Sequence, residues 1–141
     1  MNRKIILVVC VVFLGIICIV FDRMYAPDTT LEMYVEAENY REAHNLELPP
    51  QIFKYDGCTL FPERIFGLDI SNACLEHDIA YWLGGDEFDK YHADNVLWNQ
   101  VRASGSLGFI VAPFMYVGVW MFGDTWVVEL FDANWGFGWN I

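Results

Sequence analysis

A mainly α-helical fold is predicted, built on an antiparallel two-helix hairpin, and three observations predict it. Residues 72–85, NACLEHDIAYWLGG, space Leu75, Ile79 and Trp82 as one apolar stripe and stop at Gly84 and Gly85. A second helical pattern follows after a turn of two residues and runs from Glu87 to Ala103. A third stretch, residues 107–122, is free of charge for sixteen residues.

Length and composition set outer bounds. A chain of 141 residues is expected to form one domain. The net charge is −11, and after Met24 five bases face eighteen acids. That balance excludes nucleic acid as a partner, since phosphate binding needs a basic footprint. It suits a hard cation such as calcium. Hydrophobic residues make up 55% of the chain, with the excess at the N-terminus and near residues 107–122.

Taken in order, residues 5–21 form an uncharged run of seventeen, preceded by Arg3 and Lys4. Ile19, Val20 and Phe21 offer no small-residue cleavage site, and Ile17 before Cys18 does not suit a lipoprotein. Residues 1–24 are therefore read as a signal anchor in preference to a cleaved signal peptide. Seventeen residues is the lower limit for a span. The bases would stay in the cytoplasm and the domain would be exported, periplasmic or extracellular, or secreted if the segment is cleaved. Residues 25–50 are acidic and hold Pro27, Pro49 and Pro50. They read as a stalk or a short helix capped by Thr29 or Thr30. The compact domain is expected over residues 51–141.

Residues 51–70 read as an aromatic-rich loop punctuated by Gly57, Pro62 and Gly67. The hairpin follows. Ser71 or Asn72 is the expected N-cap of its first helix. Tyr91, Leu97, Trp98 and Val101 form the expected buried stripe of the second, with Asp94 in its middle. Residues 107–122 are read as a third helix, or a broken one at Pro113, covering the hairpin, with a membrane-embedded segment as the alternative. The tail carries Trp126, Trp135 and Trp139, which either cover the core or rest at a lipid interface.

The chemistry gathers on the first hairpin helix. Cys74, His77, Asp78 and Tyr81 stand at i, i+3, i+4 and i+7 and share a face. On the second helix, Asp94 is a carboxylate in an apolar stripe and needs a partner. His77 lies eight residues before Gly85 and Asp94 nine after it, so the hairpin sets them opposite one another. His77 then reads as a general base that activates water, with Asp94 fixing its tautomer and stabilising the imidazolium. Asp78 sits about 100° around the helix, facing the same groove without aiming at the same proton. A cation there would polarise a carbonyl or phosphoryl oxygen. One carboxylate cannot hold calcium, and the loop Tyr55-Asp56-Gly57-Cys58-Thr59 can supply another together with backbone carbonyls, Gly57 allowing close approach. Cys10 and Cys18 lie in the apolar run, leaving Cys58 and Cys74 as an expected disulfide of an exported domain; the competing use is Cys74 as a catalytic thiol beside His77.

Asp56-Gly57-Cys58-Thr59, Pro62 and Ala73-Cys74-Leu75-Glu76-His77-Asp78-Ile79-Ala80-Tyr81 resemble the secreted phospholipase A2 superfamily, above all its short bacterial and fungal branch. The resemblance covers roughly residues 53–101, about a third of the chain. It implies a helical hairpin and calcium-dependent hydrolysis of the sn-2 ester of glycerophospholipids at a membrane. By position it implies His77 as general base, Asp94 as the supporting acid and Tyr81 as the tyrosine that hydrogen-bonds that acid. Asp78 and Asp56 would be calcium ligands, with a backbone carbonyl near Gly57. The Gly-x-Gly calcium loop of the vertebrate enzymes is absent. Two other readings stand beside this one. A non-catalytic module would keep the fold to bind a membrane or a protein partner, and a structural membrane protein would use His77 and Asp94 only as a buried hydrogen bond.

Overall fold

The computed structural model describes residues 29–58, 61–123 and 134–139. The expected anchor over residues 1–24, Thr59 and Trp126 lie outside the described residues. Among the described residues the chain is mainly helical, with four α-helices and almost no strand. They are α1 (Leu31–Ala43), α2 (Ser71–Leu83), α3 (Glu87–Ala103) and α4 (Ser106–Phe122). A minimal hairpin of β1 (Arg64–Ile65) and β2 (Leu68–Asp69) precedes α2, and a 3-10 turn, Phe137–Trp139, closes the chain.

The polar stretch before residue 50 takes the helical of its two expected forms. Thr30 Oγ1 accepts from the Met33 amide at 3.3 Å and caps α1. Ala37 is the buried residue of this helix, and Met33 and Tyr34, partly buried, also pack against the core. The segment is also tied by Thr29, whose hydroxyl accepts from the Tyr55 amide at 2.7 Å. Within residues 51–70 the chain is irregular apart from β1 and β2, which pair Ile65 with Leu68. Phe66 and Gly67 between them both have positive φ, 46° and 84°, as a two-residue strand turn requires.

The start of α2 differs from expectation. The helix opens at Ser71 itself with Ile70 as its N-cap, and Asp69, two residues before Ser71, accepts through Oδ1 from the Ser71 amide at 3.1 Å and from its hydroxyl at 2.6 Å. At the other end Gly84 turns with φ 66°. α3 begins with a capping box in which Asp86 accepts from Phe88 and Asp89 amides and Asp89 accepts from Asp86 in return.

Residues on α2 and α3 meet as in an antiparallel pair. Glu76 bonds Gln100 near one end, and His77 and Tyr81 reach Asp94 further along. Trp82, Phe53, Ile70, Ile79 and Val101 are the largest fully buried side chains. Removing one of these from water contributes about 1.5–3 kcal/mol. Tyr91 is a correction: expected in the buried stripe of α3, it is 58% exposed. The buried line is Ala93, Asp94, Leu97 and Val101, and position 91 falls about 100° from its middle.

The uncharged stretch 107–122 forms one continuous helix that covers α3, and Pro113 sits on its exposed side. The approach of α4 to α3 is close enough that a Cβ on Gly108 would lie 2.1 Å from the Val101 carbonyl oxygen. No described helix is long and apolar enough to cross a membrane. The tail binds the free end of α2. The Gly136 amide donates to the Tyr81 carbonyl at 2.7 Å, and Trp139 Nε1 donates to the Leu83 carbonyl at 2.7 Å. Carbonyls that a helix end leaves without intrahelical donors are satisfied in this way.

Candidate functional site

The helical period of α2 brings Cys74, His77, Asp78 and Tyr81 to one side, and two further elements meet them there. Cys74 is bonded to Cys58, with Cα atoms 5.1 Å apart, so the loop before the strands is fastened to the first turn of α2. The thiol is consumed in that bond, which removes Cys74 as a nucleophile.

Asp94, 3% exposed, is the centre of the hydrogen-bond network. His77 Nε2 lies 3.1 Å from Asp94 Oδ1, and the Tyr81 hydroxyl donates to the same oxygen at 2.8 Å. Lys90 Nζ donates to Oδ2 at 3.0 Å. Burial acts to raise the Asp94 carboxyl, but the hydrogen bonds from His77, Lys90 and Tyr81 outweigh it and hold it below the ordinary value. An ionised carboxylate can only accept, so the imidazole proton facing it belongs on Nε2. The Nδ1 lone pair is then available to take a proton. The rings of His77 and Tyr81 lie 4.1 Å apart, and Trp135 meets the Tyr81 ring edge-on at 5.0 Å.

His77 lines a cleft of about 340 Å³ between α1 with the segment after it, α2, α3 and the tail. Leu46, Ala80, Leu83, Ala93, Val96, Trp135 and Trp139 supply apolar wall, and Tyr40, Glu47, Glu76, Asp89 and His92 supply polar wall. Such a cleft can take an apolar chain beside a base. Asp56 and Asp78 are not among its lining residues, so Asp78 faces the loop rather than the cleft that His77 lines.

On the loop side, Asp78 is 8% exposed and its Oδ2 accepts from the Asp56 amide at 3.4 Å. Burial pushes the Asp78 carboxyl well up, and the charge of Asp56 adds to it, with Glu63 contributing further. Glu63 accepts from the Tyr55 hydroxyl. Burial first, then Glu63, drives that phenol far above its usual range. Gly57 has φ 78°, and a Cβ there would approach Glu63 Oε1 to 3.1 Å. A buried carboxylate beside two others is the donor chemistry of a hard cation. Among the described residues, however, no group of three or more His, Cys, Asp or Glu is already arranged to hold a metal ion. Two carboxylates, Asp56 and Asp78, together with backbone carbonyls of the loop therefore form the candidate calcium set.

Sequence reasoning missed Lys90 and Glu63, and it gave Trp135 only as a residue that covers the core or rests at a lipid interface, without its place beside Tyr81. Lys90 stands four residues before Asp94, a spacing that marks helical ion pairs and was available to be read. Glu63 and Trp135 come from irregular segments, where no periodicity signals which way a side chain faces.

Comparison of the chain with protein-family models, with curated proteins and with solved structures finds no match.

Proposed function

We propose that this chain is a calcium-dependent, membrane-associated carboxylic ester hydrolase acting on the sn-2 ester of glycerophospholipids. The observation that carries the reading is the ionised, buried Asp94 bonded to His77 Nε2, which leaves Nδ1 as the basic atom of a residue that lines the cleft. The motif resemblance over residues 53–101 supplies the substrate class.

Water held against Nδ1 gives up a proton to His77 as its oxygen bonds to the ester carbonyl carbon. Asp94 stabilises the imidazolium, and Tyr81 and Lys90 hold Asp94 in place. The proton then passes from Nδ1 to the alcohol oxygen as the acyl carbon–oxygen bond breaks, which yields a fatty acid and a lysophospholipid. Calcium, held by Asp78, Asp56 and carbonyls near Gly57, would supply charge stabilisation for the oxyanion. Residues 1–24 are proposed as the anchor that exports the domain and keeps it at the membrane.

One observation favours a second reading. The carboxylates of Asp56 and Asp78 are not part of the cleft wall. A non-catalytic module would bind calcium and lipid there without turnover. Phosphatidylcholine vesicles with a labelled sn-2 chain separate the two. The hydrolase releases labelled fatty acid with calcium and stops on chelation. Release that ignores chelation, or label that stays on the lipid, overturns the proposal.

A further inference from the structure

The outer side of α4 bears six large apolar side chains, Phe109, Ile110, Phe114, Val117, Trp120 and Met121, each at least half exposed. Positions 110, 114, 117 and 121 form one stripe at i, i+4, i+7 and i+11. The opposite side of the helix is already in use: Val111, Ala112 and Met115 are buried, and Tyr116 meets Trp98 edge-on at 5.6 Å. An apolar patch of this extent on a folded domain marks a contact surface.

We infer that this face lies in the surface of a lipid bilayer, with α4 parallel to the membrane plane. Three features select lipid as the occupant. First, residues 107–122 carry no charged side chain, and the indole of Trp120 is the sole polar group among the six exposed residues. A protein partner would meet a polar rim on the helix itself, whereas an acyl layer needs none. Second, Arg102 borders the patch, its guanidinium 4.9 Å over the Phe109 ring. An apolar stem ending in a cation at the edge of such a face matches the level of lipid phosphates. Third, a short link joins the domain to the uncharged run of the sequence. The uncharged run stops at Phe21, and only residues 22–28 separate it from Thr29, which is fixed to Tyr55. Seven extended residues reach less than about 30 Å. A run of seventeen apolar residues in a membrane therefore holds the domain, at Thr29, within about 30 Å of that surface. With 17 residues and no described helix able to span, α4 enters the interface rather than crossing it. The inference rests on the membrane partner proposed above and not on hydrolysis.

Spin labels on the full chain test it. In a Cys10→Ser, Cys18→Ser background, single labels are placed through Phe114→Cys, Val117→Cys and Glu36→Cys, with Ile110→Cys as a third site on the face. The protein is reconstituted in phosphatidylcholine vesicles. Folding is verified by far-ultraviolet dichroism and the intact Cys58–Cys74 bond. At 110, 114 and 117, collisions with oxygen are expected to exceed those with a water-soluble nickel chelate severalfold, and at 36 the order reverses. Nickel contact dominating at 114 and 117 while the chain stays with the vesicles overturns the inference. So does dipolar broadening between copies at those positions, which would assign the face to a second chain. Fatty-acid release from the same vesicles is read separately, so a failed hydrolase and a misassigned face give different results.

Discussion

Replacing Asp94 by Asn keeps the shape of the side chain and removes its charge. Asn Oδ1 can still accept from His77 and Tyr81. Its amide nitrogen must then face Lys90 Nζ, which now stands 3.0 Å from Asp94 Oδ2. Two donors meet where a donor and an acceptor met. Lys90 is only 12% exposed, so its ammonium loses its carboxylate in a place with little water. Each hydrogen bond to a charged group contributes about 1.5–3 kcal/mol, and the three to Asp94 share one network and do not add. Breaking one side of a buried ion pair costs about 3–5 kcal/mol, which is the loss of stability expected here. Urea unfolding at neutral pH measures it. Acidification adds a second signature. Asp94 is depressed in the folded protein, so its contribution is complete above the ordinary value of about 3.9 and declines as pH falls from there through the folded value. The gap between wild type and variant should close over that acid window. Fatty-acid release should fall by about 10²–10⁴-fold, the usual contribution of general acid–base catalysis. A stability loss below about 1 kcal/mol, or a gap that persists in acid, would refute the account of Asp94 as an ionised hub.

Other perturbations address the scaffold and the metal. Reducing the Cys58–Cys74 bond, which spans a sequence separation of 16, should lower stability by about 3 kcal/mol in unfolding experiments with and without dithiothreitol. In Gly108→Ala the new methyl meets a backbone oxygen that cannot rotate away, so α4 must shift from α3. A cost of about 1–3 kcal/mol is expected by denaturant unfolding, with the disulfide intact. Calcium at a hundred times its dissociation constant should stabilise the chain by about 2.7 kcal/mol. Chelation should reverse this, and Asp78→Asn should abolish it in thermal melts.

The hairpin was legible because its signals agree. Helical spacing in 72–85, the two glycines that end it and the second helical pattern from Glu87 all point to the same turn. Once the turn is placed, counting from Gly85 sets His77 across from Asp94, and they are 3.1 Å apart. The Cys58–Cys74 bond followed from setting aside the two cysteines of the apolar run. Tyr91 was misplaced because a large aromatic residue reads as buried, while the true stripe turns on the smaller Ala93. Lys90 was overlooked for the opposite reason. A lysine reads as solvent-facing, yet its stem lies along the protein and its ammonium turns inward to Asp94. The tail is the hardest case. Trp135 and Trp139 are held by bonds to the carbonyls of Gly85 and Leu83, 50 and 56 positions away, and no local pattern encodes such partners. Glu63 likewise reaches Asp78 and Tyr55 only through the course of an irregular loop.

Catalysis by His77 is the claim on which the functional account depends, and His77→Ala tests it most directly. Wild type and variant are compared on phosphatidylcholine vesicles at saturating calcium, with release of the sn-2 fatty acid followed over time. Lys90 and Tyr81 still satisfy Asp94 in the variant, so the fold should persist, as the disulfide and far-ultraviolet dichroism can verify. The account predicts calcium-dependent release by the wild type and its loss, by at least about 10²-fold, in the folded variant. Equal release by the two proteins would contradict it, and so would a wild type that binds calcium and vesicles yet releases no fatty acid.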